Sequence, residues 1–192
     1  METLMGLCIG VGLASACGFR VFVPLLALSL AAKAGFVTTG ENLAWIGSWP
    51  AVIALATGTV LEVGAYFVPW VDHALDTVSG PAAVVAGTLA AASQLGDVHS
   101  VSPFLQWGTA LVAGGGAAGA TKLASVATRG TSTVTTGGTL NPIISAVESA
   151  ISAVLSFLAI AVPVCVGLLV IVIVAFVVRR KLRARRARLA LA

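Results

Sequence analysis

Residues 12–29 read "GLASACGFRVFVPLLALS" and set an arginine inside a run that otherwise has the composition of a membrane span. Arg20 is the only charged side chain between Leu4 and Ala32. The run, residues 4–33, is too long for one straight crossing, because about 20 apolar residues span a hydrocarbon core of ~30 Å. Gly18 and Pro24 interrupt it, and Pro24 has no N–H to give the carbonyl of Arg20. The stretch folds as a broken helix or as a re-entrant hairpin, and hydropathy does not choose between them. Either way, a permanently charged guanidinium sits where water is scarce.

The rest of the chain has the same character. Hydrophobic residues are 58% of 192 and charged residues 9%, with mean hydropathy +1.05; soluble domains carry about 25% charged residues. The reading is an all-α, polytopic integral membrane bundle in one transmembrane domain, 1–178, followed by a basic tail, 179–192. Apolar segments fall at about 4–33, 48–69, 80–95, 103–127, 141–160 and 161–178, which allows four to six spans. Trp49 and Trp70 are 21 residues apart, about 31 Å of helix, and frame the second segment as two interfacial belts. Trp45 and Trp107 mark further interfaces. The stretch "TRGTSTVTTGGTLNP", 128–142, reads as a loop. An inverted repeat of three spans per half stays open, since Arg20 and Glu62 in one half answer Lys122 and Glu148 in the other.

Seven of the 11 Lys and Arg residues lie in "RRKLRARRAR", residues 179–188. A cluster directly behind an apolar run predicts a cytoplasmic C-terminus in a multi-pass cell (inner) membrane protein and contact with anionic lipid headgroups, with no nucleic-acid partner. Cys8, Cys17 and Cys165 lie in apolar segments and read as packing residues. "LASAC" lacks the basic n-region of a cleaved signal. Gly6 with Gly10, and Gly115 with Gly119 in "GGGAAGA", have the spacing that lets helices approach closely, within the chain or in a homo-oligomer.

A charge at mid-membrane costs about 2.5–3.5 kcal/mol, so Arg20, Glu62, Lys122 and Glu148 together cost roughly 10–14 kcal/mol unless they pair or reach water. Glu62 shares a helical stripe with Thr59 and Tyr66. Asn141, Ser145, Glu148, Ser152 and Ser156 form a polar stripe opposite Ile143, Val147 and Ile151, and Lys122, Ser125 and Arg129 form a basic one. Asp72 and Asp76, four residues apart with His73 between them, suit an interfacial helix, a proton relay or a hard cation. Arg20 is expected to pair with Glu62, with Glu148 next in line. No metal-ligand cluster, P-loop, nucleophile elbow or dinucleotide fingerprint occurs, so no metal and no cofactor are expected, and an enzyme is the less favoured reading.

"GLASACGFRVFVPLLAL", "LEVGAYFVPWVDHALDTVSGPAAVVAGTL", "AAGATKLASVATRG" and "NPIISAVESAIS", in this order, resemble a bacterial integral-membrane family catalogued as domain of unknown function 4126. The resemblance implies that Arg20, Glu62, Asp72, Asp76, Lys122, Arg129, Asn141 and Glu148 are the family's polar positions. Similar proteins are more acidic in the fifth segment, where Ser149 here follows Glu148 in place of a second carboxylate. "GFRVFVP" is also similar to the Arg- and Pro-bearing re-entrant segment of DedA lipid-carrier translocases, which keeps an anionic lipid or phosphate among the ligands for Arg20. The leading expectation is a small transporter or channel-like permease for an ion or small polar solute, with those eight residues along its pathway. A membrane-embedded lipid-handling protein or enzyme acting on a headgroup, and a structural or assembly protein, remain the alternatives.

Overall fold

The computed structural model describes residues 2–65, 69–95 and 102–163, with isolated positions 165, 172 and 179, and describes side chains over 4–65, 78–95 and 102–163. The elements are α1 (Glu2–Cys17), α2 (Phe22–Lys33), a 3-10 segment (Glu41–Gly47), α3 (Trp49–Gly64) and α4 (Pro69–Leu95). They continue with α5 (Pro103–Thr109), a π turn (Ala110–Gly115), α6 (Gly116–Thr136) and α7 (Asn141–Ala161). Val78–Leu95, Pro103–Thr136 and Asn141–Ala161 are long and apolar enough to cross a membrane, and the 3-10 segment with α3, bent by 62°, makes a fourth candidate. The chain is a multi-pass helical membrane protein. The side chain of Trp70, the sixth apolar segment beyond residue 163 and the basic tail lie outside the described residues, apart from the isolated positions.

The first apolar segment is a helical hairpin of two apolar helices, each shorter than the candidate spans. Going down α1, Gly6 packs on the backbone at Gln94, Gly10 on Ala91, and Gly87 faces Ala14, so α1 runs antiparallel to α4. The return up α2 brings the chain back to the same end: Ser29 Oγ donates to the Ile46 carbonyl, Gly47 packs against Ala32 and Lys33, and the Gly40 N–H donates to the Ser93 carbonyl at 2.9 Å. Leu13 and Leu28, from the two arms, belong to one buried cluster with Ala90, Ala91, Ala92, Ala110 and Ala159. With 12 residues in α2, the tip lies about 18 Å from where the hairpin enters, short of a ~30 Å crossing. Phe36, Trp45, Trp49, Phe104 and Trp107 are exposed at the entry end, and Lys33 Nζ sits 4.2 Å over the Trp49 ring, the composition of an interfacial belt.

Local chemistry explains the turn. The Gly18 and Phe19 N–H groups close a tight last turn on the Ser15 and Ala16 carbonyls. A Cβ on Gly18 would lie 2.4 Å from Thr121 Cβ and 2.5 Å from the Ala118 carbonyl oxygen, so only glycine lets the tip press against α6. Pro24 falls in the first turn of α2, where its missing N–H leaves no intrahelical bond unmade. α3 then descends antiparallel to α2, with Gly58 against the Phe22 ring. The hairpin has no counterpart among the described residues of the second half, where 103–136 runs as one helix.

Two features of that helix differ from the sequence reading. The threonine-rich stretch expected to be a loop is helical to Thr136, and the turn is confined to 137–140. Thr128, Thr131, Thr133, Thr135 and Thr136 donate to carbonyls four residues back, so their hydroxyls need no water, and the helix stops only where Gly137 takes φ 63°. The π turn was not anticipated. At about 100° per residue, Lys122 would sit about 120° out of phase with Ala110 on an uninterrupted α-helix; one residue absorbed by the wider turn cuts that to about 20°. Ala110, Gly114, Ala118, Lys122, Ser125 and Arg129 accordingly all face inward.

Candidate functional site

Three elements converge beside the hairpin tip. Arg20 comes from the turn between α1 and α2, Lys122, Ser125 and Arg129 from α6, and Ser145, Glu148 and Ser149 from α7. The charged four are nearly solvent-free: Arg20 is 6% exposed, Lys122 7%, Arg129 5% and Glu148 4%. α7 is amphipathic in the membrane sense, with Ser145, Glu148, Ser152 and Ser156 buried while Ile143, Val147, Ile151 and Val154 are exposed.

Glu148 is the centre. Its Oε2 accepts from Arg129 Nη2 at 2.9 Å and Arg129 Nε at 3.2 Å, and lies 3.7 Å from Arg20 Nη2. Its Oε1 accepts from the Ser125 hydroxyl. Ser145 serves both arginines: its carbonyl accepts from Arg20 Nη2 at 2.9 Å and its Oγ from Arg129 Nη2 at 2.7 Å. Ser149 Oγ accepts from Arg20 Nε at 3.1 Å and donates to the Ser145 carbonyl at 2.9 Å. One turn further on, Ser152 Oγ donates to the Ala16 carbonyl at 3.1 Å, which ties α7 to the last turn of α1.

The expected Arg20–Glu62 pair is not formed. Glu62 Oε1 accepts the Val21 N–H at 2.9 Å and Oε2 the Phe22 N–H at 3.1 Å, so this carboxylate caps α2 from α3. Because α3 lies antiparallel to α2, Glu62 arrives at the positive end of that helix, where a carboxylate is stabilised by both hydrogen bonds and dipole. Arg20 leaves the tip toward α7 instead. Thr59 turns its hydroxyl to the Leu55 carbonyl, and Tyr66 lies outside the described residues.

The remaining sequence candidates separate. Asn141 starts α7, about 10 Å along the helix from Glu148; its Nδ2 donates to Thr133 Oγ1 at 3.1 Å, and its Oδ1 is buried with no partner among the described residues. Asp72, His73 and Asp76 belong to the first half of α4, and their side chains lie outside the described residues. Among those that are described, no three His, Cys, Asp or Glu side chains converge as metal ligands. Sequence reasoning missed Ser149 as a hydrogen-bonding partner of Arg20. The signal was present: Ser149 follows Ser145 by four residues and so stands beside it on the same helical face.

A family model described as domain of unknown function (DUF4126) matches residues 7–181. No curated protein and no solved structure matches the chain.

Proposed function

The chain belongs to the family described as domain of unknown function DUF4126, and from that premise we propose that it is a small permease for an ion or small polar solute, with its transport site at the hairpin tip. The observation that carries this reading is one carboxylate, Glu148, shared between an arginine on a non-spanning hairpin and an arginine on a spanning helix. Non-spanning backbone at membrane depth is tolerated where it is enclosed by protein or lines a pathway, and half-helix ends at mid-depth are where secondary transporters bind their cargo.

A buried ion pair is a poor way to fasten helices, because well-packed apolar residues of similar volume do as well or better. Its use is as a switch. When Glu148 takes up a proton, it loses its attraction for both arginines together, while Arg20 keeps its bonds to Ser145 and Ser149. The joint that Glu148 makes between the tip and α6 is then loosened, while Ser145 still accepts from both arginines and Gly18 still packs on α6. Lys122 and Arg129 line the pathway on the α6 side, Glu62 sets the position of the tip from the other, and Asp72 and Asp76 stand toward one mouth. The basic tail faces the cytoplasm and rests on anionic headgroups.

The purified protein in vesicles carrying a pH-sensitive dye, given an imposed pH gradient and a panel of single salts, should move protons faster than protein-free vesicles with at least one salt. Glu148→Gln should abolish that movement. A closed hydrogen-bond network of this kind also fits a purely helix-fastening role. Folded protein that moves neither protons nor any salt of the panel would favour that role and refute the permease.

A further inference from the structure

The groups around Glu148 form a recognition site for a carboxylate: two guanidinium donors of Arg129 and the Ser125 hydroxyl bond its oxygens, and Arg20 adds charge at 3.7 Å. Planar guanidinium forks with neutral hydroxyl donors are the constellation by which proteins hold carboxylates and phosphates. Here its occupant is the chain's own side chain. We infer that Glu148 is an internal stand-in for the cargo, and that the cargo is a small monoanion, a carboxylate or a phosphate, that takes the place of the Glu148 carboxylate when Glu148 is protonated.

The charge balance of that exchange is fixed. One proton neutralises Glu148 and one monoanion supplies the negative charge it gave up, so the cluster carries the same net charge before and after. An intramembrane site cannot change its charge without a large penalty, and this exchange avoids one. Resting on the permease reading, transport at this site is the symport of one proton with one monoanion and moves no net charge across the membrane. The groups facing Glu148 are Arg20 from the hairpin and Arg129 from α6; Lys122 is buried on the same α6 face, and α7 contributes Ser145 and Ser149. Glu62 is turned to the far side of the tip, and the side chains of Asp72, His73 and Asp76 of α4 are not described.

The test separates binding from transport. In detergent, Glu148→Gly removes the stand-in, and formate or inorganic phosphate should then raise its thermal midpoint by about 3–6 °C at ten times Kd. Chloride at equal ionic strength should not. Glu148→Gln, which mimics the protonated acid and keeps its shape, should be stabilised more than the parent protein by formate at pH 7.5 and by phosphate at pH 6, where it is a monoanion; it carries the test if the glycine variant does not fold. Stabilisation by short-chain phosphatidate alone would make the monoanion a lipid headgroup rather than a free solute. Stabilisation of neither variant by any of these anions, or an equal effect of chloride, overturns the stand-in. In vesicles at pH 6, phosphate-driven proton uptake should stay within about twofold whether the membrane potential is clamped at zero or strongly negative inside, because the potential acts only on net charge carried. A strong voltage dependence overturns the stoichiometry. Rescue in detergent with no flux in vesicles would sink the permease and leave the anion site standing.

Discussion

Replacing Glu148 by leucine should be among the most damaging single changes in the described part of the chain. The carboxylate accepts three hydrogen bonds, two from Arg129 and one from Ser125, and pairs with Arg20. Its loss leaves two arginines buried beside an apolar side chain, which costs about 3–5 kcal/mol for a broken buried pair. At about 2–4 °C per kcal/mol for a chain of this size, the thermal midpoint should fall by roughly 6–20 °C. Arg129→Leu should cost a similar amount by stranding the acid. The double variant Arg129→Leu/Glu148→Leu removes both halves of the strongest contact and should cost clearly less than the sum, with a coupling of about 2–3 kcal/mol. Arg20 should couple to Glu148 by a smaller margin, since Ser145 and Ser149 still hold it, and to Glu62 by less again. Equilibrium unfolding by SDS titration from mild micelles, followed by fluorescence of the four tryptophans, gives the four corners of each cycle. Two single costs below about 1 kcal/mol, or a double variant equal to their sum, would show that the carboxylate is not the centre of the cluster.

Glu62→Ala should cost about 1–2 kcal/mol in the same titration, the value of a helix cap, and Glu62→Gln less, because the amide keeps one acceptor. Gly18→Ala puts a Cβ 2.5 Å from the Ala118 carbonyl oxygen and should destabilise by about 1–3 kcal/mol; Gly116→Ala, which meets open space inside a helix, should stabilise by up to about 1 kcal/mol, and equal effects at the two sites would refute the close approach at the tip. Deleting Val112, an exposed residue of the π turn, should leave a folded protein, because an ordinary α-helical turn then restores the same downstream phase. Deleting Ala120 should not, because it rotates Lys122, Ser125 and Arg129 out of the cluster; size-exclusion profiles of the two deletions decide it.

The class of protein and much of the cast of the site were open to reading from sequence. Spans follow from hydropathy, and the inward polar faces of α6 and α7 follow from steps of three and four residues, which is why Lys122, Arg129 and Glu148 could be named without a structure. Hydropathy, however, has no direction. It cannot tell a helix that continues from one that doubles back, and that single ambiguity at Gly18–Val21 decided the fate of both Arg20 and Glu62. Choosing the acid nearest along the chain selected Glu62. The hairpin presents backbone amides to that side and the arginine to the other. The threonine-rich stretch failed for a different reason: turn composition is calibrated in water, whereas hydroxyls in a membrane bond back to their own helix. The π turn leaves a fainter trace, inward positions at strict four-residue steps, Ala110, Gly114, Ala118 and Lys122, that an unbroken helix would spread around its circumference.

The contact between the tip and α7 joins residues 125 apart in the chain. At about 5–20 residues per second, synthesis of the intervening length takes roughly 6–25 s. During that interval Arg20 exists without the serine and carboxylate that will enclose it, while α3, α4 and α6, all made before α7, already supply the hairpin's other contacts. A chain cut short before Ser145 should therefore build the hairpin against those helices and leave one guanidinium without its final enclosure, a local mark for quality-control recognition rather than an open N-terminal third.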